Sequence, residues 1–409
     1  MTSRRYQRRV SPLERYSLVI NAAYRYHVDG ILEGEGEVDP RLLQAAVDRA
    51  AAANPAIRVR LRGWLGLSRW VDSGIAPQVR ALPRSDWDGN SEQGAPYLDE
   101  RLDPRRRGPI ADVLLVPCRD GRTRIVFRTL HAAIDGRGCM HWALEICRAL
   151  RGEPLQGSDS RLSDFDVQER YRAQIPDEAP TLPSNCMPVL RPAAAGSAER
   201  RGVRFIWRRV LLDRNVSQLL PKTAVFLADW ARRREAGEIG FTVPVDYRGF
   251  RIHEMGIGNL TGYLRLTVEP GATPRTVVQQ LNARVKAFAD CRQFPGARLL
   301  RWLPVWFMLR QLRPKIDAVL HEAGPGLPSG GIVSMGTIKP EHYDFPGFKA
   351  ARLYGIPGAV GKLNVVFVNT PHDVSVSFAA PAAYNHEGQL DALVEAYRQH
   401  FSTAVEAAA

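Results

Sequence analysis

The stretch "RTLHAAIDGRG", Arg128 to Gly138, reads as a strand that stops at a turn and hands over to a helix. Thr123, Ile125, Phe127, Thr129 and His131 share one face by the two-residue period of a strand. Arg122, Arg124, Val126, Arg128 and Leu130 share the other. The pattern therefore points His131 inward, with Ile125 and Phe127. A lone inward histidine is more often a hydrogen-bonded core residue than a catalyst. Asp135 and Gly136, four and five residues on, add a turn-fixing carboxylate and a residue free of backbone restriction. Strand, HxxxDG, then the helical run "CMHWALEICRAL" is a pattern that needs a chemical explanation.

Working outward, "ADVLLVPC" precedes this strand and joins it at Asp120-Gly121, a hairpin turn signal. Residues 38–54, "VDPRLLQAAVDRAAAAN", predict a helix with Asp39 as N-cap and Pro40 in its first turn. Leu42, Leu43, Ala46, Val47 and Ala50 supply its helical spacing, and "IRVRL" follows as a strand. Residues 176–200 hold five prolines and little periodicity, the mark of a linker. Beyond it, "VRFIWRRVLL" and "GFTVPVDYRGF" read as strands. "TPRTVVQQLNARVKAF" reads as a helix, "LNVVFVNTPHDVSVSFAAP" as a strand pair, and "GQLDALVEAYRQHFSTAV" as a closing helix. The alternation is too irregular for a doubly wound parallel sheet, so the expected class is α+β with mixed sheets. The expected division is a disordered basic leader over 1–10, a first lobe over 11–178, a linker over 179–200 and a second lobe over 201–409.

Composition narrows the function classes. Of 409 residues, 45% are hydrophobic and 24% charged, a globular balance. No apolar run reaches the roughly 18–20 residues of a membrane span. The basic start "MTSRRYQRRV" lacks the apolar segment of a secretory signal. The five cysteines are widely spaced and form no CxxC pair, which argues against a disulfide framework or structural zinc and for a cytoplasmic setting. No metal site is expected. The net charge of +13 fits either an arginine-rich proteome or an acidic partner. The runs "PRRRG" and "ARRRE" lack interleaved aromatics and read as solvated faces, not a nucleic-acid groove. "GIPGAVGKL" has the wrong spacing for a P-loop, "HEAG" is not a zinc motif, and no GxSxG is present. "YHVDG" at 26–30 is a decoy with only one residue between His27 and Asp29. "LLRWLPVWFMLRQLRPK" at 299–315 reads as a packed helical region, with a membrane-facing or lipid-acceptor surface as the alternative.

"HAAIDG" resembles the HxxxDG signature of the chloramphenicol acetyltransferase-like superfamily. That superfamily includes the condensation domains of non-ribosomal peptide synthetases and the BAHD and polyketide-associated acyltransferases. The resemblance extends over nearly the whole chain: "SPLERYSLV" near the start, "GEVDPRLLQAAVDRAAAANPAIRVRL", "VPVDYRGF", "GNLTGYLRL" and "GIVSMGTI". Leu130 stands where condensation domains usually carry a further histidine, and the DFGWG element is absent. No carrier or adenylation motif flanks the region, so the resemblance is to a free-standing member.

The resemblance implies two chloramphenicol-acetyltransferase-like lobes forming a pseudo-dimer, with an active-site tunnel between them. It implies acyl transfer from a thioester to a small alcohol or amine, in bacterial secondary-metabolite or lipid biosynthesis, with His131 as general base and no acyl-enzyme. The thioester, acyl-CoA or a phosphopantetheine-linked chain on an acidic carrier protein, is a co-substrate, and no permanent cofactor is implied. Asp135 and Gly136 hold the turn, with Arg248 as the partner of Asp135. Asn259, Thr261 or backbone amides after His131 are the candidates for the oxyanion or acceptor contacts. The alternatives are an inactive condensation-like module that recruits a carrier protein, and a basic protein that binds membrane or nucleic acid.

Overall fold

Asp39 and Pro40 start a helix because the aspartate side chain accepts from the Arg41 amide and proline needs no donor there. Such caps and the two-residue strand period together build most of the chain. The computed structural model describes residues 5–105, 110–176, 186–193, 204–213, 216–294, 296–321, 327–358 and 362–403. The first half runs β1 (Gln7–Arg9), α1 (Pro12–Ala23), β2 (His27–Gly36), α2 (Pro40–Ala53), β3 (Val59–Arg62), β4 (Arg69–Asp72) and β5 (Gln78–Ala81). It continues with β6 (Ala111–Pro117), β7 (Arg122–Leu130), α3 (Gly136–Leu150) and α4 (Asp164–Tyr171). The second half runs β8 (Phe205–Leu212), α5 (Leu219–Arg232), β9 (Ile239–Asp246), β10 (Thr261–Val268), α6 (Pro274–Lys286), α7 (Ala297–Leu300) and α8 (Val305–His321). It ends with β11 (Gly330–Thr337), β12 (Phe348–Ile356), β13 (Asn364–Asn369), β14 (Val374–Pro381) and α9 (Gln389–Thr403).

Both large sheets are mixed. One has the order β12-β2-β7-β6-β5, the other β10-β9-β11-β13-β14-β8. β6 and β7 pair antiparallel across a turn in which Gly121 takes φ +80°. α2 and α3 cover one face of the first sheet, burying Leu43, Val47, Phe127, Trp142 and Ile146. A separate core lies under α5, α6 and α9 on the second sheet. An apolar layer that includes Ile31, Trp87, Val126, Trp207 and Ala379 joins the two halves.

Several expectations need correction. The leader is ordered from Tyr6 onward: β1 pairs with β4, and Tyr6, Arg8 and Val10 are buried. Arg8 is no solvated charge, because Glu14 meets it at 2.6 Å. Residues 1–4 lie outside the described residues, as does most of the proline-rich linker. Residues 201–409 are not a self-contained lobe. β12 crosses back and pairs antiparallel with β2, from Phe348 opposite Gly36 to Ile356 opposite Asp29. Phe348, Ala350 and Leu353 thereby enter the first core. Leu42, counted on the buried face of α2, is exposed; Ala51 takes its place. Two of the three arginines on that face of β7 are buried as well: Glu33 and the Trp87 carbonyl hold Arg124, and Asp112 holds Arg128.

Candidate active site

β7 ends at Leu130, so His131 lies in the turn just past the strand and not within it. The period-two argument therefore stops one residue short of it. Its direction is set by β2 instead. His27 pairs with Leu130, which brings Tyr26 beside His131. The His131 amide donates to the Tyr26 carbonyl at 3.3 Å. The Tyr26 ring stacks on the imidazole, centroids 4.6 Å apart and planes 13° apart. Gly358 completes the wall: a Cβ there would sit 3.3 Å from the imidazole and 3.1 Å from the Tyr26 ring.

His131 lines a cavity of about 370 Å³. Gly30 and Leu353 of the first sheet and Thr242, Val333 and Val366 of the second also line it, so it lies between the halves. Tyr16 and Ile20 of α1, with Tyr24 just past its end, form one apolar part of the wall. Burial pushes the imidazole below the ordinary histidine value, opposed by a hydrogen bond with its own backbone and by the Asp135 charge. That direction favours the neutral imidazole at pH 7. Burial also pushes the Cys139 thiol in the same wall up to about 12, which leaves it protonated and a poor nucleophile.

Asp135 does not touch the imidazole. It caps α3 by accepting from the Gly138 amide at 2.8 Å. Across the gap it accepts from the Leu260 amide at 2.8 Å and from the Thr261 hydroxyl at 3.0 Å. Arg248 forms a bidentate pair with it, 3.1 Å to each oxygen, and both side chains are buried. Arg248 also donates to the Gly256 and Gly258 carbonyls, both at 2.6 Å. Arg248 thus ties the aspartate of one half to the 256–260 loop of the other. The charge of Arg248 holds the Asp135 carboxyl below its ordinary value against the opposing effect of burial.

Gly136 is not needed for an unusual backbone angle, since it is the first residue of α3 and is not among the positive-φ glycines. Space matters instead. A Cβ at Gly138 would lie 2.0 Å from the Ile257 carbonyl oxygen, and one at Gly136 2.9 Å from the Met335 methyl.

The oxyanion candidates are largely committed elsewhere. Thr261 spends its only hydroxyl proton on Asp135. The Ala133 and Ile134 amides donate to the Leu130 carbonyl at 2.9 and 3.2 Å. Asn259 donates from its side-chain amide to the His131 carbonyl at 3.0 Å. It therefore braces the backbone of the histidine. Arg8 braces the same turn, donating to the Ala133 carbonyl at 3.0 Å. Sequence reading missed Tyr26, Arg8 and Gly358. Tyr26 belongs to the rejected decoy stretch, and only the β2–β7 pairing, about a hundred positions apart in sequence, brings it to the site.

No protein-family model and no curated protein sequence matches the chain. Solved structures do. The first condensation domain of the calcium-dependent antibiotic (CDA) synthetase aligns with TM-score 0.63 at 18% identity, covering 98% of this chain and 96% of that one. The chain has a condensation-domain fold. The starter condensation domain of rhizomide synthetase RzmA, in complex with C8-CoA, aligns with TM-score 0.64 at 17% identity, covering 97% and 94%. The condensation domain of the monacolin K polyketide synthase MokA aligns with TM-score 0.60 at 11% identity, covering 97% and 96%. The condensation-domain fold thus spans nearly the whole chain.

Proposed function

We propose that this chain is an acyltransferase that moves an acyl group from a thioester to an alcohol or amine. The carrying observation is His131: an imidazole stacked on Tyr26, with its backbone held by Tyr26 and Asn259, in a cavity between the two halves, where burial pushes it below the ordinary histidine value. His131 takes the proton from the acceptor O–H or N–H as that atom attacks the thioester carbonyl. The tetrahedral intermediate collapses, the C–S bond breaks, and the imidazolium returns the proton to the departing thiolate. The acyl group passes directly, in keeping with the protonated Cys139. Asp135 and Arg248 act as positioning residues that lock the histidine turn to the opposite half.

A thioester donor is supported by the C8-CoA complex of the similarly folded starter domain. Acyl-CoA and an acyl carrier protein share the phosphopantetheine thioester end, and either would find a protein of charge +13 attractive. The test is a panel of acyl-CoA and acyl-pantetheine thioesters, incubated with amines and alcohols and read by mass spectrometry. An ester or amide that forms with the native protein and not with His131→Ala is the expected result. Thioester consumption that is equal in the two proteins would overturn the role of His131. No transfer with any pair, beside retained binding of a carrier protein, would favour the inactive recruiting module.

A further inference from the structure

We propose that the surface formed by residues 62–67 together with α7 and the first part of α8, as far as Arg313, docks on an anionic lipid bilayer. Two segments far apart in sequence meet there. Trp64 and Leu67 project from one, at 70% and 65% exposure. Leu299, Trp302, Trp306 and Phe307 project from the other, led by Leu299 at 72% and Trp306 at 67%. The segments touch directly, since the Trp302 ring packs on Gly66 so closely that a Cβ there would lie 2.8 Å from it. Arg15 pins them from beneath, donating to the Leu65 carbonyl at 2.8 Å and to the Leu303 carbonyl at 3.0 Å. The patch is therefore a held surface and not a pair of loose loops. Single exposed apolar residues are ordinary, but a joined cluster of indoles and leucines is not.

The chemistry of the rim selects the occupant. Arg62, Arg301, Arg310 and Arg313 belong to the same segments, and neither 62–67 nor 299–315 contains an acidic residue; α8 carries Asp317 further along, and the acid beside α7, Glu169, is paired with Arg298 at 2.6 Å. On α8 the outward stripe runs Trp306, Phe307, Arg310, Arg313, while Met308 faces inward. Tryptophan prefers the level of the lipid headgroups, and arginine can bury its stem while its guanidinium meets phosphates. A helix with an apolar-aromatic and basic outer face lies in the interface plane and does not cross it. Among the described residues no helix is long and apolar enough to cross a membrane. The inward face of α8 packs on α1 and its C-terminal end through Met308, Val19, Ile20 and Tyr24. The helix that would touch lipid thus rests on the helix that lines the cavity.

The experiment is co-sedimentation of the intact protein with phosphatidylcholine vesicles, alone or mixed with phosphatidylglycerol, at low and high salt. Tryptophan quenching by bromine-labelled lipid is read in parallel. The mixed vesicles should bind at least about tenfold more protein than the neutral ones, and salt should weaken that binding. Trp64→Ser combined with Trp306→Ser should cut the quenching to what Trp302 alone contributes and lower binding about tenfold, with the melting temperature unchanged. Arg310→Glu should remove the preference for anionic lipid. Should a variant misfold, quenching in the unaltered protein still decides, since the fully buried Trp70, Trp87 and Trp142 are out of reach of lipid. Protein that stays in the supernatant with both vesicle types, or binding that ignores these substitutions, would overturn the proposal. So would a stable dimer in light scattering that Trp306→Ser dissolves, because a second copy would then own the patch.

Discussion

A histidine can take a proton only while it is itself unprotonated, and burial favours that state in His131. Its pKa is shifted down, so the acidic limb of kcat/KM should have its midpoint below the ordinary histidine value of about 6.5. Activity is then full near neutral pH and is lost as pH falls through the lowered value. A midpoint above 6.5 in a pH–rate profile would contradict this. His131→Ala should lose on the order of 10²–10⁴ in kcat with an unchanged melting temperature. Asp135→Asn should behave differently, lowering stability and activity together. It breaks the pair with Arg248 across the gap but leaves that guanidinium on Asp246 at 2.8 Å, so the loss should stay below the roughly 3–5 kcal/mol of a fully unpaired buried charge. Unchanged melting with collapsed activity would make Asp135 a participant in the chemistry. At this scale His131 and Asp135 were legible because a local spacing carries them, and Arg248 because its own motif does. Tyr26 and Arg8 were not, since their value comes from pairing partners remote in sequence.

Helix α3 begins where space is scarcest. Gly138→Ala would drive a Cβ into the Ile257 carbonyl oxygen, so the 256–260 loop must retreat and take Asn259 with it. A loss of about 1–3 kcal/mol is expected, with kcat falling more than KM rises; steady-state kinetics beside thermal melting check it. The start of α4 offers an independent test. Burial, reinforced by the neighbouring Glu14 charge, pushes the Asp164 carboxyl up to about 7. A folded value above the unfolded one means that its contribution is fully present below about pH 4 and is lost as pH rises toward 7. Asp164→Asn, a mimic of the protonated acid, should therefore stabilise the protein at pH 8, by up to about 2–4 kcal/mol, and much less at pH 5. Equal melting shifts at both pH values would refute the assignment. Elements with their own punctuation were readable: Asp39-Pro40 for α2, Asp120-Gly121 for the β6–β7 hairpin, Thr273-Pro274 for α6. β1 was not, because its arginines look solvated until Glu14 is seen to meet Arg8.

At the scale of the molecule, a linker rich in proline suggests two separable lobes, and the pairing of β12 with β2 contradicts that picture. Nothing local in "FKAARLYGI" says which sheet it joins; only the completed fold does. The exchange places a strand of the second half at the edge of the first sheet. Arg248 meeting Asp135, and Arg137 donating to the Met335 carbonyl at 2.8 Å, add polar ties near the cavity. Halves joined in this way should unfold as one unit, and a lesion at the exchange should be felt on both sides. Leu353 tests this, being a β12 side chain 2% exposed in the core of the first half. Leu353→Ala removes about 2–5 kcal/mol of packing. Native-state hydrogen exchange should show the slowest amides of β6 and β7 losing protection by the same amount as those of β13 and β14, although β13 and β14 belong to the other core. If β13 and β14 keep their protection while β6 and β7 lose it, the halves unfold separately and the exchanged strand does not couple them.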